Sequence, residues 1–190
     1  MTKATQTLIT MTTVCLRFFT KLTRDYSLFS LAVPKQGNSF LLWSEKNGVY
    51  SVYVNGQGGI SGLKGKLNEW NSLCATWENT TGLTQVWLNG KPSKSMTVSP
   101  GYSIKGIPII VLGQDQDTYG GSFDAAQSLV GSLTDVHMWA FVLSPKEIQY
   151  YMKGIMVYNG DVVSWRQMEF TVTDAVVEET SVLGFVYRCN

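Results

Sequence analysis

The chain has 190 residues, of which 15% are charged and 44% hydrophobic, and a formal net charge of +1. This length and apolar content suit a single domain over 1–190 with a sizeable core. The near-zero charge balance, without a lysine or arginine run, argues against a nucleic-acid partner. No stretch approaches the roughly 18 apolar residues of a membrane-spanning helix.

Residues 1–11 are rich in threonine and carry no apolar run, so they do not read as a signal peptide. The first strand pattern falls at 14–19, followed by strands at 28–33, 40–43 and Val49–Val54. In the last of these, valine alternates with tyrosine or serine, the period of a half-buried strand. Strands at 73–78 and Leu83–Leu88 come next. The second runs into Asn89-Gly90, a hairpin signal because both turn positions require positive φ. Between them Asn79-Thr80-Thr81 is an N-glycosylation acceptor pattern, one of two hints of an extracellular protein. The other is the cysteine count. Cys15, Cys74 and Cys189 allow one disulfide with one thiol left over, or three reduced thiols.

After a strand at Ile109–Leu112 comes the most informative stretch, Gly113-Gln114-Asp115-Gln116-Asp117-Thr118-Tyr119-Gly120-Gly121, followed by Asp124 and Gln127. It gathers three carboxylates and the amide oxygens of Gln116 and Gln127 in one glycine-rich loop. Hard divalent cations such as calcium take six to eight oxygen ligands, several of them anionic. Gly120 and Gly121 tolerate the backbone angles that fold such a loop back. The plain alternative is an acidic, solvated turn. The spacing is not that of an EF-hand. Strands at 133–141, 161–165 and 182–187 follow, separated by one helical pattern at 144–154. There Ser144 is the N-cap, Pro145 opens the helix, Glu147 completes a capping box and Gly154 takes the C′ position. Ile148, Tyr151 and Met152 form a stripe that docks on a sheet. Many short strands with Gly and Asn turns predict an all-β sandwich or jelly roll with one short helix.

Enzymatic chemistry is thinly represented. The one histidine, His137, has Asp135 and Trp139 as alternation partners and reads as part of a sheet face. No Gly-x-Ser-x-Gly elbow, zinc-ligand spacing or phosphate loop is present. A jelly-roll glycoside hydrolase needs only paired carboxylates and is the enzymatic alternative. The acids at 115, 117 and 124 cluster in a loop, however, whereas such enzymes mount them along a strand.

Taken in order, Val14-Cys15-Leu16-Arg17-Phe18, Cys74-Ala75-Thr76-Trp77-Glu78, Val86-Trp87-Leu88-Asn89-Gly90-Lys91-Pro92, the acidic loop, Gln127-Ser128-Leu129-Val130-Gly131, Met138-Trp139, Leu143-Ser144-Pro145-Lys146-Glu147-Ile148 and Trp165 resemble the short pentraxins, the family of C-reactive protein and serum amyloid P. The resemblance runs from about residue 14 to about residue 187. It implies a two-sheet antiparallel jelly roll with one helix on a face, and a disulfide between Cys15 and Cys74. It further implies secretion, a cyclic homo-oligomer (usually a pentamer, with other rings such as a trimer as variants), and acute-phase recognition of anionic or phosphocholine-like microbial ligands. Such ligands bind through a pair of calcium ions, and complement or phagocyte receptors are the downstream partners. Asp115, Asp117, Asp124 and Gln127 would ligate calcium by side chains, Gln116 by its carbonyl, and Asn38 by its amide oxygen.

Departures from the pattern are as specific. Gly37 stands where the family carries a carboxylate, in a segment one residue shorter, which weakens the first ion site. Leu42 would form the wall of the ligand pocket, but no acid lies near Gln57-Gly58, where the resemblance calls for one. Ser72 replaces a histidine, an N-terminal edge strand is missing before Cys15, and Cys189 has no partner in the basic pattern. The alternative is a pentraxin-fold protein with weakened or lost calcium binding that acts through protein contacts on its helix face. A laminin-G-like adhesion module shares the sandwich but not the helix motif.

Overall fold

The computed structural model describes residues 7–155 and 158–171 with their side chains, and the backbone of 176–181 and 184–189. Its strands, in chain order, are β1 (Thr7–Ile9), β2 (Met11–Thr20), β3 (Tyr26–Val33), β4 (Gln36–Ser44), β5 (Val49–Val54), β6 (Gln57–Lys64), β7 (Trp70–Glu78), β8 (Leu83–Leu88), β9 (Lys91–Pro92), β10 (Met96–Thr97), β11 (Ile104–Gly106), β12 (Ile109–Leu112) and β13 (Gly131–Trp139). The helix α1 (Pro145–Met152) follows, then β14 (Val163–Ser164), β15 (Val176–Ser181) and β16 (Gly184–Cys189).

Every pairing is antiparallel. One sheet runs β10-β8-β7-β2-β13-β16-β15, with β9 added on β8 and β14 on β13. The second runs β12-β3-β4-β5-β6, and β1 pairs β11 as a small third sheet. The jelly-roll expectation therefore holds, with one minor sheet added. Of the pattern at 182–187, residues 184–187 fall on β16, which pairs with β15, a strand the pattern did not include; residues 182 and 183 lie outside the described residues, as does the thiol of Cys189. Strands β1, β6, β9, β10 and β11 carry no clear apolar period. In β6, Gly58 and Gly59 interrupt the alternation.

The core lies between the two large sheets. Phe29, Leu31, Phe40, Leu42, Val52 and Val54 face Val14, Leu16, Phe18, Leu73, Trp77 and Met138. A second apolar cluster sits under the helix, where Ile148 and Tyr151 pack with Trp87, Trp139 and both sulfurs of the disulfide Cys15–Cys74. These cysteines are direct cross-strand partners on β2 and β7, as the resemblance implies. The helix begins as its sequence dictates. Ser144 Oγ accepts the Glu147 N–H, and Glu147 Oε2 accepts the Ser144 N–H at 2.7 Å. Gly154, at φ 74°, follows its last turn.

His137 is buried on β13. Its Nε2 lies 3.2 Å from Asp135 Oδ1, and its Nδ1 accepts the Gly160 N–H at 3.2 Å. Asp135 also binds Arg17 Nε at 2.9 Å, and the imidazole stacks on Trp139. With both ring nitrogens engaged, the histidine braces the 158–164 segment and has no free nitrogen to act as a base.

Candidate functional site

The site is built on the outward face of the five-stranded sheet. Ser30, Leu41, Tyr53 and Gly58 are successive partners in one row across β3, β4, β5 and β6. Directly opposed residues share a face. The adjacent row, Leu31, Phe40 and Val54, belongs to the core, so the Ser30–Gly58 row faces away from it. This explains why β3 is buried throughout: the core covers one face and the acidic loop covers the other.

The loop closes at its base, where the Gly113 N–H donates to Leu28 O at 3.1 Å and the Leu129 N–H to Gly113 O at 2.7 Å. Gln116 pins it to the sheet. Its side-chain amide donates to Ser30 O and Ile109 O, each at 3.1 Å, and its Oε1 accepts the Gly120 N–H at 3.1 Å. The Gln116 side chain is spent on structure, so the residue can offer an ion its backbone carbonyl alone.

Three side-chain oxygens in the expected ligand set are buried without a hydrogen-bond partner: Asn38 Oδ1, Asp115 Oδ1 and Gln127 Oε1. Leaving such an atom unpaired costs about 1–3 kcal/mol, and a hard cation is the partner that suits neutral and anionic oxygens together. Burial, with the Asp117 charge beside it, pushes the Asp115 carboxyl above the usual carboxylate range. The donor set fits calcium in chemistry. The three carboxylates do not converge by themselves. Asp117 is exposed, and Asp124 caps the short 3-10 turn Ala125–Gln127 by accepting the Ala126 N–H at 2.9 Å. Among the described residues no three His, Cys, Asp or Glu side chains form a metal cluster. Like charges repel across such a loop, so the site is one of mixed oxygens.

Two expected ligand-pocket residues lie elsewhere. Leu42 belongs to the core between the sheets, so it does not face outward; the period of β4 turns Leu41 to the outer face, where it is itself 4% exposed. Gln57 is partnered with core-facing Val54, and its Oε1 accepts from Ser99 Oγ at 3.2 Å, so it turns away from the loop's face. The outward residue is Tyr53, whose ring lies over Gly58 and whose hydroxyl donates to Glu45 Oε1 at 3.1 Å. Burial, and then the Glu45 charge, raise its pKa. The carboxylate that meets this ring is Glu45, the residue after β4. The Val/Tyr alternation at Val49–Val54 was the available signal for Tyr53. Nothing local marked Glu45. At the other end of the sheet system, Asn79 is half-buried, with Nδ2 donating to Ser103 Oγ at 3.2 Å.

Fold and site together define an antiparallel β-sandwich protein with an oxygen-rich loop laid over one outer face. The model of the Pentaxin family matches residues 1–179. The serum amyloid P-component of Cavia porcellus is 39% identical over 165 residues, covering 87% of this chain and 74% of that protein. The C-reactive protein of Xenopus laevis is 41% identical over 161 residues, covering 83% and 67%. Among solved structures, the native heptameric SAP-like pentraxin from Limulus polyphemus aligns with a TM-score of 0.79 at 26% identity, covering 90% of this chain and 82% of that one. Trypanosoma rangeli sialidase aligns at 0.55 and 16% identity, covering 78% and 24%, a likeness of fold alone. This chain belongs to the pentraxin family.

Proposed function

We propose that this chain is a secreted innate-immune recognition protein that binds anionic ligands through calcium. The observation that carries the reading is the set of unpartnered buried oxygens on Asn38, Asp115 and Gln127. Together with the Asp117 and Asp124 carboxylates and the Gln116 carbonyl, they would hold the ion. Bound calcium would supply a positive centre for a phosphate or carboxylate of the ligand. The rest of the ligand would lie along the sheet toward Leu41 and Tyr53, roughly 10 Å from Asn38 at about 3.3 Å per residue. There the Glu45 carboxylate suits a cationic group such as the ammonium of phosphocholine. A cyclic homo-oligomer, complement or phagocyte receptors as partners, and a glycan on Asn79 belong to the same reading. It is a binding function, not an enzymatic one.

A second reading keeps the fold without the ion, because Gly37 removes a carboxylate from the ligand set. A thermal melt separates the two. Millimolar calcium is expected to raise the melting temperature over that in chelator, since a ligand at a hundredfold excess over Kd adds about 2.7 kcal/mol. Coincident melts would favour calcium-independent protein contacts on the helix face.

A further inference from the structure

Gly37 does more than omit a ligand. The carbonyl oxygens of Gln116 and Asp117 each lie 2.6 Å from the point that a Cβ on Gly37 would occupy, and the Asp117 carbonyl carbon lies at 2.8 Å. Side-chain carbons do not approach backbone atoms that closely. Gly37 is not among the residues with positive φ, so it is this contact, and not an unusual backbone angle, that calls for glycine. At this point the acidic loop rests directly on β4.

The contact limits what the site can hold. An ion shared between a side chain at position 37 and the loop carbonyls would stand about 2.4 Å from each oxygen, which holds the Cβ about 4 Å or more from those carbonyls. The observed approach leaves no such gap. Elsewhere in the loop the donors are open. Asp115 is 5% exposed and its Oδ1 has no partner, nor has Gln127 Oε1.

We propose that Gly37 seals the loop onto β4, so that each chain holds a single calcium ion, at the donor set named above, and no second ion bridged between a side chain at position 37 and the loop carbonyls. Position 37 is then a packing position that sets the loop's height, and restoring a carboxylate there does not restore a second ion. The inference rests on the calcium reading above, and the tests separate the two.

Calorimetric titration of the intact protein with calcium chloride is expected to give one ion per chain. Two ions would overturn the sealing inference and leave the calcium reading standing, whereas none would overturn the calcium reading itself. A metal-free measurement tests the seal independently. In chelator, Gly37→Ala is expected to lower the melting temperature by roughly 3–10 °C, as overpacking does. An unchanged or raised melting temperature would overturn the seal whatever the metal does. Gly37→Asp is expected to leave the stoichiometry no higher than one, and a rise to two would refute the proposal.

Discussion

Asp115 is held in a position that favours a ligand over stability. It is buried, one carboxylate oxygen is unpaired, and burial with the neighbouring Asp117 raises its pKa. A raised carboxyl pKa means the unfolded chain gives up its proton first, so metal-free stability falls as pH rises from the ordinary carboxylate value toward the folded one. Asp115→Asn is therefore expected to raise the melting temperature in chelator at neutral pH by about 2–4 °C, and to abolish the rise caused by calcium. Paired melts with calcium and with chelator measure both. Glu78 shows the opposite sign. The Thr81 hydroxyl donates to its carboxylate, and the N–H groups of Thr80, Thr81 and Leu83 do so at 2.8, 3.0 and 3.2 Å. The Thr81 hydroxyl leads these in holding the carboxyl down at about 2, against the opposing effect of burial. The contribution of Glu78 is present above the ordinary glutamate pKa, about 4.3, and is lost as pH falls toward about 2. Glu78→Gln is expected to flatten acid unfolding in that window, read by denaturant melts at pH 2 to 5.

Among the elements, the helix was the most legible, because its stop and start signals are local. Ser144, Pro145, Glu147 and Gly154 act through bonds within one turn, so the sequence carries them whole. Ser144→Ala removes the cap and is expected to cost about 1 kcal/mol, seen as a lower denaturation midpoint. Strands β5 and β8 were legible through their period, and the Asn89-Gly90 turn through its demand for positive φ, observed at 50° and 84°. Asn55-Gly56 makes the same turn at 51° and 72°, yet β6 beyond it stayed hidden. Its glycines serve neighbours: Gly58 makes room for the Tyr53 ring, and Gly59 for Val98 and Met96. A glycine chosen by a distant side chain leaves no periodic mark. Leu42 illustrates the same limit. Four consecutive apolar residues, Phe40 to Trp43, do not reveal which of them face outward, and pairing with β3 and β5 decides it.

Over the whole molecule, the disulfide, the helix and the nine-stranded sheet form one unit, since Cys15 and Cys74 lie under Ile148 and Tyr151. The bridge closes a loop of 59 residues, which restricts the unfolded chain by about 4 kcal/mol. Cys74→Ser is expected to lower unfolding free energy by that order, measured by denaturant titration beside the reduced parent. Arg17 joins the same unit from β2, binding Asp135 Oδ2 and the Tyr151 carbonyl at 2.5 Å. Hydrogen bonds from His137 and Arg17 outweigh the burial of Asp135 and keep its pKa low.

By itself the sequence determined the all-β class, the capped helix and the donor inventory of the acidic loop, and through resemblance it paired Cys15 with Cys74. These follow from local chemistry and ordered motifs. Only the tertiary structure decided that Leu42 faces inward while Tyr53 and Glu45 face outward, that Gln116 braces the loop through its side chain, and that Gly37 lies against two loop carbonyls. Each of these is a contact between strands and loops far apart in the chain. Which face a residue takes, and how close two backbones come, is set by their partners and not by their neighbours in sequence.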